Sequence, residues 1–245
     1  MFTTQNLDSI TKINKLLVII GLLLVLFSGC AQPVSAPEVD DEPYYYEPVH
    51  VNTIEDYLRE LISLSNIDDD DPEVLNIIER ISRLDIRLLR LMYENGVDIR
   101  LFNGLLTDEP EMVKYRGVTP RGWENTGFTW DDIPGAGGQL VVFVRVGFSY
   151  PSIETRHSSM LLEFHEIAHT IDTLLGFISQ SYYFQSIHEE EKNNVFYRIV
   201  YFDFLEEYFA EAFVKFKYDD YSRTNLRELA PRTYNFFVQM IEALP

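Results

Sequence analysis

His165-Glu166-Ile167-Ala168-His169 has the residue types and the spacing of a metal-assisted hydrolase. At 3.6 residues per turn, positions four apart on a helix lie nearly above one another, so two imidazoles can grip one ion. Glu166 lies beside them without being forced into coordination. There it can polarise a water at the metal and later pass the proton to a leaving amine. Zinc in a catalytic site takes three protein ligands and leaves the fourth position open, so a third ligand is needed.

The segment from Asp203 to Phe213, DFLEEYFAEAF, offers one. Asp203 with Glu206 three residues on predicts a capping arrangement that puts Glu207 in the first turn of a second buried helix. Glu211 lies one turn further along the same face. Spacing alone leaves these two equivalent: either can face the metal while the other holds a histidine in place. The run Glu189-Glu190-Glu191 sits in a polar stretch and reads as a solvated face.

These residues need a scaffold. A helix over about 158–177 is expected to carry the histidine pair, capped by Ser158 and Ser159, with Leu162, Phe164, Ile167, Ala168 and Ile171 in its apolar surface. Further helices are expected at about 204–217 and 231–243. Upstream, IEDYLRELISL from Ile54 has helical spacing, as does VLNIIERISRLDIRLLRLMYENG, read as one helix closed by Asn95-Gly96. The aspartates in DDDDPE (68–73) lack the glycine and distal glutamate of a calcium loop and are read as a helix cap.

Residues 117–138, GVTPRGWENTGFTWDDIPGAGG, predict a structured loop with turns. The β-branched and aromatic run GQLVVFVRVGF at 138–148 predicts a strand. The fold class is therefore α+β, mainly helical with a small sheet.

Twenty Lys and Arg against 39 Asp and Glu give a net charge of −19, which excludes a phosphate backbone as partner and is read as a solubility device. The single cysteine, Cys30, rules out an internal disulfide. Lys12 and Lys15, then LLVIIGLLLVLF at 16–27, then Ser28-Gly29-Cys30 have the layout of a signal peptide. The run LFSGC resembles a bacterial lipobox, with Phe27 where an aliphatic residue is usual, and implies lipidation at Cys30. Residues 1–29 are thus expected to be a leader and 30–50 an acidic, proline-rich tether. Residues 51–245 are expected to be one domain, a helical part over 51–116 and a catalytic part over 117–245. The expected product is a monomer on the outer face of a bacterial membrane, or a secreted one.

HEIAHTID together with EYFAEAF resembles the peptidase domain of anthrax lethal factor and the related secreted Pro-Pro endopeptidases. VTPRGWE, TWDDIPGAGG, His157 and APRTYNFF extend the resemblance over roughly 51–245, most firmly 117–245. It implies that His165, His169 and Glu207 hold one zinc ion, that Glu166 is the general base and acid, and that Glu211 orients a ligand histidine. The family also has a tyrosine seven residues before the ligand glutamate, where its hydroxyl can stabilise an oxyanion. Val200 stands there in this chain, so the role passes to Tyr201, six before, in preference to Tyr197, ten before. Trp123 resembles the family's substrate-cleft tryptophan, and His157 and Glu206 are expected beside it. The implied activity is hydrolysis of extracellular or cell-surface proteins, with a preference for proline-rich sites resting on the resemblance alone. The alternative is a non-catalytic surface lipoprotein that keeps the fold for binding or adhesion, but such a protein has no use for Glu166.

Overall fold

The computed structural model describes residues 51–245 except 122, 125 and 153–156. The leader, Cys30 and the tether lie outside the described residues. Thr53 opens α1 (Ile54–Leu61) with a reciprocal capping box to Asp56. The chain then leaves the helix at Ile62, because Ile62–Ser65 (β1) finds a parallel partner in Asp98–Phe102 (β2). The ISLS segment, expected as the end of a helix, is thus a strand: pairing with a distant segment overrides a short helical signal.

Asp71 accepts the N–H groups of Glu73 and Val74 and Pro72 takes the first position, so the acidic run caps α2 (Pro72–Ile81) as expected. The single helix expected up to Asn95 is two. Ser82 Oγ bonds the Glu79 carbonyl, and Asp85 accepts the Arg87 N–H to open α3 (Ile86–Glu94). The apolar spacing runs through this break because Leu84 fills the core inside the turn.

The sheet order is β1-β2-β4-β3, where β3 is Gly135–Ala136 and β4 is Val141–Arg145. β2 pairs parallel with β4, and β3 runs antiparallel as the far edge. Ile99, Leu101, Val142 and Val144 face the main helical core. Phe102 and Phe143 face a smaller cluster with Leu106 and Met112 beneath the loop segment.

The second half supplies α4 (Leu162–Leu174), α5 (Tyr182–Val195), α6 (Leu205–Lys217), α7 (Asp220–Leu229) and α8 (Pro231–Glu242). α4 lies between the sheet and α6, which explains why nearly all of it is buried. The architecture is the expected one, mainly helical with a small sheet. α5 and α7 were not anticipated. In α5 the buried face is Phe184, Ile187, His188 and Glu191, a helical spacing in which half the positions are polar and so escape a hydrophobic pattern.

Glu191 corrects the reading of the acidic run as wholly solvated. Its carboxylate accepts the Arg232 and Thr233 N–H groups and the Thr233 hydroxyl, capping α8. A helix start without a cap of its own draws an acid from a neighbouring helix.

The helical N-terminal part is tied directly to α4. Glu163, fully buried in the first turn of α4, pairs with Arg80 of α2, which also bonds Glu73 and Ser149. Replacing Arg80 with alanine strands a buried carboxylate, and the expected cost is about 3–5 kcal/mol. Thermal unfolding of Arg80→Ala against wild type measures it; an unchanged midpoint would show that Glu163 does not depend on its partner.

Candidate metal centre

α4 begins at Leu162 with no side-chain cap. Ser158 and Ser159 do not cap it: Ser159 Oγ instead donates to the Leu161 carbonyl. The helix start is held from outside, with the Leu162 N–H on the Ser149 carbonyl and Glu163 on Arg80. One and two turns in, His165 and His169 project the same way, and their Nε2 atoms stand 3.1 Å apart.

α6 begins at Leu205, again without a side-chain cap. Asp203 pairs with Lys192 of α5, and Glu206 pairs with Arg121 and takes a hydrogen bond from Gln180, so the expected capping pair does not form. Both acids find cations outside the helix. Glu207 sits in the first turn, where the helix dipole favours a negative charge. Its Oε2 lies 3.2 Å from His165 Nε2 and 3.4 Å from His169 Nε2. Glu211, one turn on, approaches His165 from the other side: its Oε2 is 3.2 Å from Nδ1, and its Oε1 accepts the Met160 N–H. The two glutamates that spacing could not separate thus lie on opposite nitrogens of one ring.

With Nδ1–H donated to Glu211, the His165 Nε2 atom presents its lone pair towards His169 and Glu207. Glu207 Oε2 is a buried carboxylate oxygen without a directed hydrogen bond, although both ring nitrogens are close. Three electron-pair donors therefore surround one point, with separations of 3.1, 3.2 and 3.4 Å. Tetrahedral zinc with donors about 2.0–2.1 Å away spaces them about 3.3–3.4 Å apart, so the donor set fits the ion. Burial pushes the Glu207 carboxyl up, but the two imidazoles outweigh it and hold the group well below the usual carboxylate range.

Glu166 is buried beside this cluster, and burial raises its carboxyl, opposed by the two histidines. The nearby Gly137 backbone N–H opposes the rise as well. The close approach of this segment to Glu166 needs two glycines. A Cβ on Gly137 would stand 2.0 Å from the Glu166 carbonyl oxygen, and one on Gly135 would meet the Phe143 carbonyl at 2.9 Å and the Glu166 side chain at 3.0 Å.

All of this opens on a cavity of about 920 Å³. Tyr201 reaches it from the turn Val200–Asp203; burial, then the nearby Glu207 charge, pushes its hydroxyl well above the usual phenol range. Tyr197 is 67% exposed and does not line the cavity. Trp123, packed edge to face on Phe128, lines it too, as do His157 and Glu206. Sequence reasoning missed Arg121, whose guanidinium joins Glu206 and stacks on Phe204, and it missed the two glycines. The alternating glycines of PGAGG were the available signal for a close backbone approach.

The family described as "Anthrax toxin lethal factor, N- and C-terminal domain" matches residues 48–240. A Pro-Pro endopeptidase of Paenibacillus alvei is 34% identical over 200 residues, covering 81% of this chain and 90% of that protein. A Pro-Pro endopeptidase of Clostridioides difficile is 34% identical over 227 residues, covering 91% and 96%. The solved structure of the Paenibacillus alvei enzyme aligns with a TM-score of 0.70 and 36% identity, over 75% of this chain and 99% of that one.

Metal analysis tests the donor set. Protein dialysed against zinc is expected to hold one ion per chain, His169→Ala to hold none, and Glu211→Gln to bind about 10–100-fold more weakly. Equal zinc content in wild type and His169→Ala would remove the centre.

Proposed function

This chain belongs to the family described as anthrax toxin lethal factor, N- and C-terminal domain, and from that membership we propose that it is an exported zinc metalloendopeptidase cleaving proteins at proline-rich sites. The observation that carries the reading is the meeting of His165, His169 and Glu207 at one buried point with Glu166 beside it. The proline preference draws on the two Pro-Pro endopeptidases, each about a third identical over most of this chain. Trp123 on the cavity wall supports it, since an indole face suits a proline ring by shape and apolar area.

His165, His169 and Glu207 would hold the zinc, which supplies Lewis acidity for a scissile carbonyl and makes water acidic near neutral pH. Glu166 does the proton work. As a carboxylate it takes the proton of the attacking water, and as an acid it gives that proton to the leaving amine nitrogen. Its raised proton affinity suits both halves, because a strongly acidic carboxyl would not keep the proton long enough to deliver it. Tyr201 keeps its proton, and its hydroxyl, on the cavity wall, can donate to the oxyanion that forms when water adds to the carbonyl. Glu211 keeps His165 in the tautomer that faces the cavity.

The proposal sets the enzyme outside the cell, tethered through a lipid on Cys30 and acting as a monomer on extracellular or cell-surface proteins. It is supported by the charged, apolar and small-residue succession of residues 12–30.

The zinc-loaded 31–245 fragment, screened against a peptide library containing adjacent prolines, tests the activity. Cleavage is expected next to proline. Glu166→Gln is expected to keep zinc and lose about 10²–10⁴-fold in kcat, and Tyr201→Phe about 10²–10³-fold with KM little changed. A wild-type protein that binds zinc and cleaves no member would overturn the peptidase reading in favour of a binding protein.

A further inference from the structure

The segment that brings Gly137 to Glu166 continues as Gly138 and Gln139, and two threonines of α4 hold this continuation. Thr170 Oγ1 accepts the Gly138 N–H at 3.0 Å and donates to the Gln139 carbonyl at 3.1 Å. Thr173 Oγ1 lies 3.2 Å from the Gly138 carbonyl and 3.1 Å from the carbonyl of His169, one turn back. A threonine inside a helix ordinarily turns its hydroxyl to the carbonyl one turn before. Thr173 shares its hydroxyl between that carbonyl and the segment, and Thr170 bonds the N–H of Gly138 and the C=O of Gln139, so that one hydroxyl closes over two consecutive residues where the chain turns at Gly138.

Thr170 is four residues after Glu166 and so lies on the same face of α4. The segment, pinned at 138 and 139, passes the Glu166 carbonyl so closely that residue 137 has no room for a Cβ. β3, only two residues long, gives the segment little anchorage of its own. Backbone bonds hold the segment at Pro134 and Leu140, to Arg145 and Asp98, and the two hydroxyls hold the stretch that follows Gly137 directly to α4.

We propose that Thr170 and Thr173 are positioning residues, whose hydroxyls fasten residues 138–139 to α4 and thereby keep the glycine segment 135–137 packed against Glu166, the catalytic base. The inference rests on the reading of Glu166 as that base. A base displaced by about 1 Å can lose about 100-fold in rate, whereas a hydroxyl that only satisfies buried backbone groups affects stability and leaves turnover per folded molecule intact.

The experiment compares Thr170→Val, Thr170→Ser and Thr173→Val in the zinc-loaded protein on a peptide that the wild type cleaves. Thr170→Val is expected to lower kcat about 10–100-fold, with KM within about twofold of wild type and zinc per chain unchanged. Thr170→Ser restores most of the rate because it restores the hydroxyl, and Thr173→Val gives a smaller loss in the same parameter. Where Thr170→Val fails to fold, Thr173→Val and Thr170→Ser decide. The backbone amide resonance of Gly137 supplies a readout independent of turnover. It is expected to move on Glu166→Gln, which removes the charge beside it, and to exchange faster with solvent in Thr170→Val or Thr173→Val. A wild-type kcat in both valine variants, a serine variant no better than valine, or a Gly137 amide indifferent to Glu166→Gln would each overturn the proposal. Should the wild type cleave nothing, the peptidase reading fails, while the amide measurements still decide whether the threonines hold Gly137 on Glu166.

Discussion

Two imidazole nitrogens and a carboxylate oxygen meet at one buried point, and among the described residues that oxygen, Glu207 Oε2, finds no directed hydrogen bond. Two imidazole nitrogens 3.1 Å apart cannot both present lone pairs to each other without cost, and a carboxylate oxygen beside them adds charge without a directed hydrogen bond. A folded protein tolerates this where something outside the chain resolves it, and a cation resolves all three together. The close packing of α4 on α6 makes the meeting possible, because neither helix alone can bring His165, His169 and Glu207 together. Large buried aromatics, among them Phe164, Phe209, Phe213 and Phe237, fill the space around these helices and fix their spacing.

An arrangement under such strain has to be held from several sides. Glu211 restrains His165 through Nδ1, Arg80 ties the first turn of α4 to α2, and the glycine-rich segment closes over Glu166. The tyrosine side is held through α5: His188 Nε2 bonds the Phe202 carbonyl at 2.8 Å, and Lys192 pairs with Asp203, the two residues that follow Tyr201. The N-terminal helical part is therefore a structural partner of the centre, and α5 is a brace for the turn that presents Tyr201.

The sequence made the histidines legible because a metal site on a helix must use the helical repeat, and that repeat is visible without coordinates. It also narrowed the proposed third ligand to two glutamates, since helical periodicity places Glu207 and Glu211 on one face; only the tertiary packing shows that they approach opposite nitrogens of His165. The tyrosine was harder because Tyr201 stands on a short 3₁₀ turn whose position depends on α5, a helix that was itself missed. The capping assignments at α4 and α6 failed for a related reason. Ser159 and Asp203 had the right local chemistry, but the Leu161 carbonyl took the first and Lys192 of α5 the second. β1 and the break between α2 and α3 were hidden likewise, by a distant strand and by an apolar pattern that runs unbroken through a turn.

The acidic excess has a second meaning beyond solubility. Glu163, Glu166, Asp172, Glu191, Glu207 and Glu211 are all buried, and a buried carboxylate is costly unless something compensates it. Arg80 compensates Glu163, the Ser179 N–H and hydroxyl hold Asp172, the start of α8 holds Glu191, and Met160 with His165 holds Glu211. Glu166 and Glu207 differ from these four. One is pushed towards protonation by its burial, the other is kept ionised by two imidazoles, and both open on the same cavity. Two carboxyls whose surroundings drive their proton affinities apart within one pocket are suited, under the proposed function, to different parts of hydrolysis, one to hold charge beside the histidines and the other to carry a proton.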